Sequence, residues 1–147
     1  MMEKDDTRYQ AYIEILKQEL IPAMGCTEPI AVAYCSALAR KTLQCIPDQA
    51  AVFVSGNIVK NVKSVIVPNT GGMKGIEAAT AAGIIAGDPD RKLEVIAKVT
   101  QEQKKQIQEY LTTHDIAVSN FEGKRTPTGE LLDILVEVQG GGHTAKA

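Results

Sequence analysis

Apolar residues recur at every third or fourth position in the first part of the chain, beginning after Thr7. In a helix, this spacing places apolar side chains along one face and polar side chains along the other. The pattern therefore predicts an amphipathic helix that packs on another element and ends near Pro22, where proline interrupts the helical backbone. The apolar positions on its packed face are Tyr9, Tyr12, Ile13, Leu16 and Leu20.

Three further helices follow from the distribution of alanine, proline and capping residues. Residues 30–43 are rich in alanine, with Pro29 suited to the first turn and Thr27 or Glu28 suited to the N-cap, which predicts a mostly buried helix. A second alanine-rich segment, residues 76–86, follows a glycine-rich loop. Thr100 and Gln103 match a capping box and predict a helix that extends to about Leu111.

Strands are predicted where β-branched residues cluster or alternate with polar ones. Residues 51–55 form one such segment and residues 65–67 a shorter one, while residues 116–121 and 132–139 alternate. The last two are predicted to pair as antiparallel neighbours through a turn at residues 123–129. Because helices and strands do not alternate strictly, we predict an α+β fold, a small mixed or antiparallel sheet covered by helices, in a single domain over residues 1–147.

Composition and charge exclude several kinds of partner. The net charge is −2, so the chain lacks the basic surface that nucleic acids or anionic membranes require. No apolar segment reaches the length of a membrane span. Three cysteines without close spacing do not suggest a disulfide framework, and no secretion signal is apparent, so we expect a cytoplasmic protein that binds a small molecule.

Cys26 is the most informative candidate for chemistry. It lies in a proline- and glycine-bounded connection directly before a predicted helix, where free N–H groups and the helix dipole favour a thiolate and lower the pKa. Such a thiolate is able to serve as a nucleophile, general base or metal ligand. The alternative is that Cys26 is simply a small apolar residue packed beneath the loop. Core packing is the expected role of Cys35 and Cys45.

Two groups of polar residues are candidates for ligand binding. Residues 69–75 form a glycine-rich loop before a helix, and its backbone N–H groups suit a substrate carboxylate, although a plain turn explains the sequence as well. The end of the first strand is followed by Ser55, Asn57, Lys60 and Asn61, which offer hydroxyl, amide and ammonium groups. Residues 140–144 are expected to begin a functional loop, in which His143 follows three glycines and is a candidate acid, base or ligand, whereas His114 is expected at the surface. Glu28 is either a first-turn partner of its helix dipole or a site carboxylate, and the first interpretation is the simpler one.

Several segments together resemble the L-cysteine desulfidases, relatives of the iron–sulfur L-serine dehydratases. The resemblance extends through nearly the whole chain, and its most specific element is the Gly-Cys-Thr-Glu-Pro sequence at residues 25–29. The other segments are Ser-Gly-Asn-Ile-Val-Lys-Asn at 55–61, Val-Pro-Asn-Thr-Gly at 67–71 and Gly-Gly-His-Thr at 141–144.

The resemblance implies that the chain is the N-terminal domain of a longer lyase that converts L-cysteine to pyruvate, ammonia and sulfide. Cys26 would be the base that removes the α-proton. Substrate binding would involve Asn57, Lys60, Asn61, Thr70, Gly71 and His143. A [4Fe–4S] cluster would act as the Lewis acid.

The cluster ligands of that family lie beyond this segment, so we expect no metal ligand in this chain, and the chain alone is expected to be inactive. The partners implied are the amino-acid substrate and the remainder of the longer chain, and self-association into a homo-oligomer is left open. Alternatives are an L-serine or related amino-acid dehydratase domain, or a regulatory module that binds a small ligand without chemistry.

Overall fold

The computed structural model describes residues 3–20, 25–121 and 132–147. The predicted turn at 123–129 therefore lies outside the described residues. The helices are α1 (Thr7–Glu19), α2 (Thr27–Leu43), α3 (Gly56–Val62), α4 (Gly75–Ala86) and α5 (Gln101–Thr113), with a 3-10 helix at Pro89–Glu94. The strands are β1 (Gln49–Val54), β2 (Ile116–Asn120), β3 (Ile134–Gly140) and β4 (His143–Lys146).

The four strands form one mixed sheet in the order β2-β1-β3-β4. β1 pairs in parallel with β2 and antiparallel with β3, and β3 pairs antiparallel with β4. The prediction that β2 and β3 are paired neighbours is therefore wrong, because β1 lies between them. An alternating pattern determines which side chains face the core but does not determine which strand lies alongside. The central position is occupied by β1, in which Ala50, Val52 and Val54 are buried.

α2 and α4 cross closely and supply much of the core beside the sheet. A Cβ atom added to Gly83 of α4 would lie only 2.1 Å from the carbonyl oxygen of Ala33 in α2, so the crossing requires glycine at that position. The alanine-rich composition of both helices has the same cause, because small side chains allow close approach of two helix backbones. The α+β fold class and the small mixed sheet predicted from the sequence are confirmed.

Two local predictions differ from the structure. Gly140–Thr144 was expected to begin a functional loop, but Gly140 pairs with His143 across a hairpin. Gly141 and Gly142 form its two-residue turn with φ angles of +57° and +79°, which suit the twist of antiparallel strands. Residues 65–67 form a single bridge, between Ile66 and Lys74, instead of a strand.

α1 forms as predicted, with Asp6 at its N-cap accepting a hydrogen bond from the backbone N–H of Arg8 at 2.8 Å. Its predicted packing is not found among the described residues, because no described residue of α1 is buried. None of the described helices combines the length and the hydropathy needed to cross a bilayer.

Candidate functional site around Cys26

Cys26 occupies the N-cap of α2, one residue before the predicted Thr27. Its side chain makes no hydrogen bond to the helix backbone, so the thiol remains available for another partner. The loop that follows Val67 lies against this helix start, since a Cβ on Gly25 would be 3.1 Å from Cγ of Pro68. The start of α2 and the 67–75 loop are therefore adjacent. The sequence alone did not predict this proximity.

The partner of the Cys26 thiol is the carboxylate of Glu28. The thiol donates a hydrogen bond to Oε2 of Glu28 at 3.1 Å, and the Thr27 hydroxyl donates to the same oxygen at 3.4 Å. Nδ2 of Asn61, from α3, donates to Oε1 of Glu28 at 3.5 Å. Glu28 thus links the thiol at the start of α2 to the amide on α3. We call Cys26, Glu28 and Asn61 the thiol–carboxylate cluster.

The electrostatics of the cluster correct the prediction of a lowered thiol pKa. The hydrogen bond from the thiol to Glu28 raises the pKa of Cys26, and the negative charge of Glu28 acts in the same direction. The same hydrogen bond lowers the pKa of Glu28. The helix start acts in the opposite direction and favours the thiolate, but the adjacent carboxylate and partial burial outweigh it, so the pKa of Cys26 is raised. At neutral pH the pair therefore consists of a protonated thiol and an ionised carboxylate.

α3 places the predicted binding residues beside this cluster. Asn57, Lys60 and Asn61 lie three and four positions apart, so they share one face of the helix. All three side chains are exposed, and Asn61 contacts Glu28 directly. The residues that follow β1 thus form a short helix that presents two amides and an ammonium group on one face. Ser55, in contrast, is buried and accepts a hydrogen bond from the backbone N–H of Asp133 at 3.1 Å.

In the 67–75 loop, Thr70 is committed to holding the loop in shape. Its hydroxyl donates to the carbonyl oxygen of Val67 at 2.7 Å and accepts from the N–H of Met73 at 3.2 Å. Gly71 is exposed, with a φ of +76° that side chains disfavour. Asn69 donates to the carbonyl oxygen of Ile96 at 3.0 Å. Most of the side-chain donors of the loop are therefore directed inward rather than toward a ligand.

His143 lies at the opposite end of the sheet from Cys26. It pairs with Gly140, and a Cβ on Gly140 would contact Cys45, which follows the far end of α2. The six residues of β1 separate this end from the one where α3 begins, a distance of about 20 Å. The structure thus brings Asn61 to the carboxylate beside Cys26, with Asn57 and Lys60 on the same face of α3, and places His143 elsewhere.

A cavity of about 500 Å³ lies at the His143 end, not beside Cys26. It is bounded by β1, β2, β3 and the end of α5, and its polar residues include His114, Asp115, Glu137 and Thr144. A second cavity of about 290 Å³ lies nearby, between Ile46 and Tyr110. Among the described residues, these two cavities thus lie apart from the reactive groups around Cys26. The candidate site is assigned to the reactive groups around Cys26, because the volume of a cavity does not by itself catalyse a reaction.

The three cysteines are too far apart to share a metal cluster. Cys35 lies nine positions after Cys26, about 13 Å along α2, and Cys45 lies beyond the other end of the helix. Cys35 is half-buried, whereas Cys45 is exposed, so the prediction that Cys45 packs in the core is wrong. Across the described ranges, no three His, Cys, Asp or Glu side chains converge as metal ligands do. The residues described here thus do not fit a [4Fe–4S] cluster.

Glu28 is the member of the cluster whose role in the site was only the second choice from the sequence. It was interpreted as a partner of the helix dipole, but its carboxylate also accepts the hydrogen bond from the Cys26 thiol. The available signal was its position two residues after Cys26, at a helix start. Acidic side chains in the first turn reach back toward the N-cap, as in a capping box.

Comparison with known proteins identifies relatives that are much longer than this chain. A protein named UPF0597 protein from Desulfitobacterium hafniense is 62% identical over 135 residues, which cover 92% of this chain and 30% of the relative. A protein of the same name from Treponema denticola is 54% identical over 75% of this chain and 26% of its own length. Another, from Lachnoclostridium phytofermentans, is 45% identical over 93% of this chain and 32% of its own length. The chain spans about 30% of the curated relatives it matches.

No family model matches the chain, and no solved structure is similar to it. The relatives carry the name UPF0597 protein rather than L-cysteine desulfidase, so the prediction that this chain is the N-terminal part of a desulfidase is wrong. The quoted segments are now seen to be a helix start, a strand end, a tight loop and a hairpin. Glycine, proline and threonine are favoured there by backbone geometry, so these segments do not by themselves specify one chemistry.

Proposed function

We propose that this chain contributes the proton-transfer side of a lyase site that removes the β-substituent of a small L-amino acid. Cys26 is the proton-transferring residue, and Glu28 is its acceptor. The observation that carries the proposal is the 3.1 Å hydrogen bond from the thiol of Cys26 to Glu28 on an exposed surface. The thiol holds the proton in this pair, so its transfer to the adjacent carboxylate is uphill and the thiolate forms only transiently.

The raised pKa of Cys26 has two opposing effects on such a reaction. It lowers the fraction of thiolate present at neutral pH, but it makes each thiolate a stronger base. Removal of a proton from the α-carbon of an amino acid needs a strong base, because that carbon is only weakly acidic. Glu28 provides the route to the thiolate by accepting the thiol proton.

The proposed reaction conserves protons and electrons. Glu28 accepts the proton of the Cys26 thiol, and the resulting thiolate takes the α-proton of the substrate. The electron pair of the broken C–H bond forms a carbon–carbon double bond, and the β-substituent leaves with its own bonding pair as hydrosulfide or hydroxide. This anion takes the proton held by Glu28 and departs as hydrogen sulfide or water, which returns Glu28 to its ionised form. Water then hydrolyses the enamine to pyruvate and ammonia.

α3 supplies groups suited to the polar ends of the substrate. The ammonium group of Lys60 suits the substrate carboxylate, and the amides of Asn57 and Asn61 offer both donors and acceptors. The exposure of these side chains leaves them free to reach a ligand. The predicted [4Fe–4S] cluster stays a prediction about residues outside this chain, and no step of this proposal depends on it.

The proposal is tested with the full-length Desulfitobacterium relative, by release of pyruvate from L-serine or L-cysteine and of 2-oxobutyrate from L-threonine. Alanine is introduced at the position that aligns with Cys26 and, as a matched control, at the position that aligns with Cys45. Both cysteines are exposed in this chain, but they lie at opposite ends of α2. We expect only the first substitution to abolish turnover. Equal turnover by both variants, or no pyruvate from the unmodified protein, contradicts the proposal.

A second candidate is a module that binds a small amino acid without transforming it. The protonated state of Cys26 favours this candidate, since a binding site does not need a reactive thiolate. NMR titration of this chain with L-serine distinguishes the two functions when combined with the turnover assay. Shifts on α3 that are lost in Lys60→Gln but kept in Lys105→Gln, together with an absence of pyruvate release, identify a binding module.

A further inference from the structure

α1 carries an apolar stripe that nothing in the described part of the chain covers. Tyr12, Ile15, Leu16 and Leu20 are 57%, 52%, 49% and 67% exposed. Tyr9 and Ile13, on the same side of the helix, are only half-buried. α5 has the same length of 13 residues but buries Ile107 and Tyr110. The exposure of α1 is thus not a general property of the short helices of this protein.

A helix of this length is only marginally stable without packing. The N-cap of Asp6 stabilises only the first turn of α1, and the exposed ion pair between Lys17 and Glu14, with Nζ 3.0 Å from Oε1, contributes little. Most helical stability in proteins comes from covering an apolar face. A contiguous set of large apolar side chains at helical spacing is also the pattern by which helices dock into grooves.

We infer that this stripe is the docking surface for the part of the longer UPF0597-type chain that lies outside the region matched here. In the Desulfitobacterium relative, 135 matched residues are 30% of the protein, so that protein has about 450 residues and about 300 of them lie outside the match. A partner in the same chain is present at a high effective concentration and needs no bimolecular association. A second copy of this chain, in contrast, has to overcome the loss of translational freedom at each encounter.

Hydrogen–deuterium exchange provides the test, comparing this 147-residue chain with the full-length Desulfitobacterium relative. We expect the amides of α1 to exchange rapidly in the short chain and roughly ten-fold or more slowly in the aligned segment of the long protein. Aspartate at the position that aligns with Leu16 should remove this protection. Aspartate at the position that aligns with Gln18, on the polar side of α1, should leave it unchanged and serves as the matched control.

Two results overturn the inference. One is equally rapid exchange of the segment in the short and the long protein. The other is protection in the short chain that increases with its concentration, which identifies a second copy as the occupant. The inference does not depend on the lyase proposal, because exchange reports packing of α1 whether or not the protein turns over an amino acid.

Discussion

The thiol of Cys26 and the carboxylate of Glu28 form a hydrogen bond of 3.1 Å at the start of α2. The two residues are separated by Thr27 alone, so the local geometry of one helix turn is sufficient to create the pair. The bond stabilises the protonated thiol and the ionised carboxylate. The protonation state of the candidate site is thus determined mainly by a neighbouring side chain, not by the helix dipole.

Replacement of Glu28 by glutamine should lower the pKa of the Cys26 thiol. The substitution removes both the charged acceptor and the negative charge that raise this pKa. More thiolate is then present at a given pH, so alkylation of Cys26 by iodoacetamide at pH 8 should be faster. Mass spectrometry of the peptide containing Cys26 separates its labelling from that of Cys35 and Cys45.

Glu77→Gln is the matched control for this experiment. Glu77 is an exposed carboxylate in the first turn of α4, so its replacement makes the same change of charge at another helix start. Alkylation of Cys26 should keep its original rate in this variant. An unchanged rate in Glu28→Gln would show that the hydrogen bond does not control the thiol.

The fold was predictable from the sequence where short-range patterns determine it. The capping box of Thr100 and Gln103 is present in the structure, and the alanine-rich segments form α2 and α4. Strand order was not predictable, because β1 pairs with partners more than 60 residues later in the chain. Alternation of apolar and polar residues shows which face of a strand is buried, but it does not show which other strand lies beside it.

The candidate site was predictable only in part, for a similar reason. Asn57, Lys60 and Asn61 follow β1 directly, and the structure places them beside Cys26 through contact between α2 and α3. His143 was a candidate because it follows three glycines. Those glycines belong to a hairpin turn at the other end of the sheet. Local sequence context indicates which residues are reactive, whereas their grouping depends on long-range packing.

Thr100→Ala should lower the free energy of unfolding by about 1 kcal/mol. The substitution removes the acceptor that the N–H of Gln103 uses at 3.1 Å, while the reciprocal bond from the Thr100 N–H to the Gln103 side chain remains possible. Urea denaturation followed by circular dichroism measures the change. Thr112→Ala, an exposed position near the end of α5, should change stability by less than about 0.5 kcal/mol and is the control. Equal effects at both positions would argue against a role of the cap.

Gly83→Ala should destabilise the protein by about 3 kcal/mol or prevent folding. The added Cβ would lie 2.1 Å from the Ala33 carbonyl oxygen, and because that atom belongs to a helix backbone it has little freedom to move. Gly56→Ala is the control, since a Cβ there meets nothing within 4 Å. The free energies of unfolding of the two variants, measured by urea denaturation, should differ by most of the predicted loss of about 3 kcal/mol. Similar midpoints would mean that α2 and α4 do not cross as closely as described.

Alkaline pH should destabilise the fold through Cys35. Burial raises the pKa of its thiol to about 11 from an ordinary value of 9.0, so the folded state favours the protonated form. The resulting stability is fully present below pH 9, decreases as the unfolded thiol ionises, and is lost as the pH passes 11. The free energy of unfolding should fall by about 2 kcal/mol between pH 9 and 11 from this residue. Tyr110, whose pKa burial raises to about 12, adds to the decrease above pH 10.

Urea denaturation at pH 8, 9, 10 and 11 measures this dependence, with Cys35→Ala as the diagnostic variant. Loss of the thiol also removes its 3.1 Å hydrogen bond to the carbonyl oxygen of Ala147, so the variant should be less stable at pH 8. Its stability should nevertheless change less between pH 9 and 11 than that of the unmodified protein. Tyr110→Phe separates the second contribution, because it removes a group that ionises only at higher pH. Parallel pH profiles for the Cys35→Ala variant and the unmodified protein would show that Cys35 ionises freely in the folded state and is not held in its protonated form by burial.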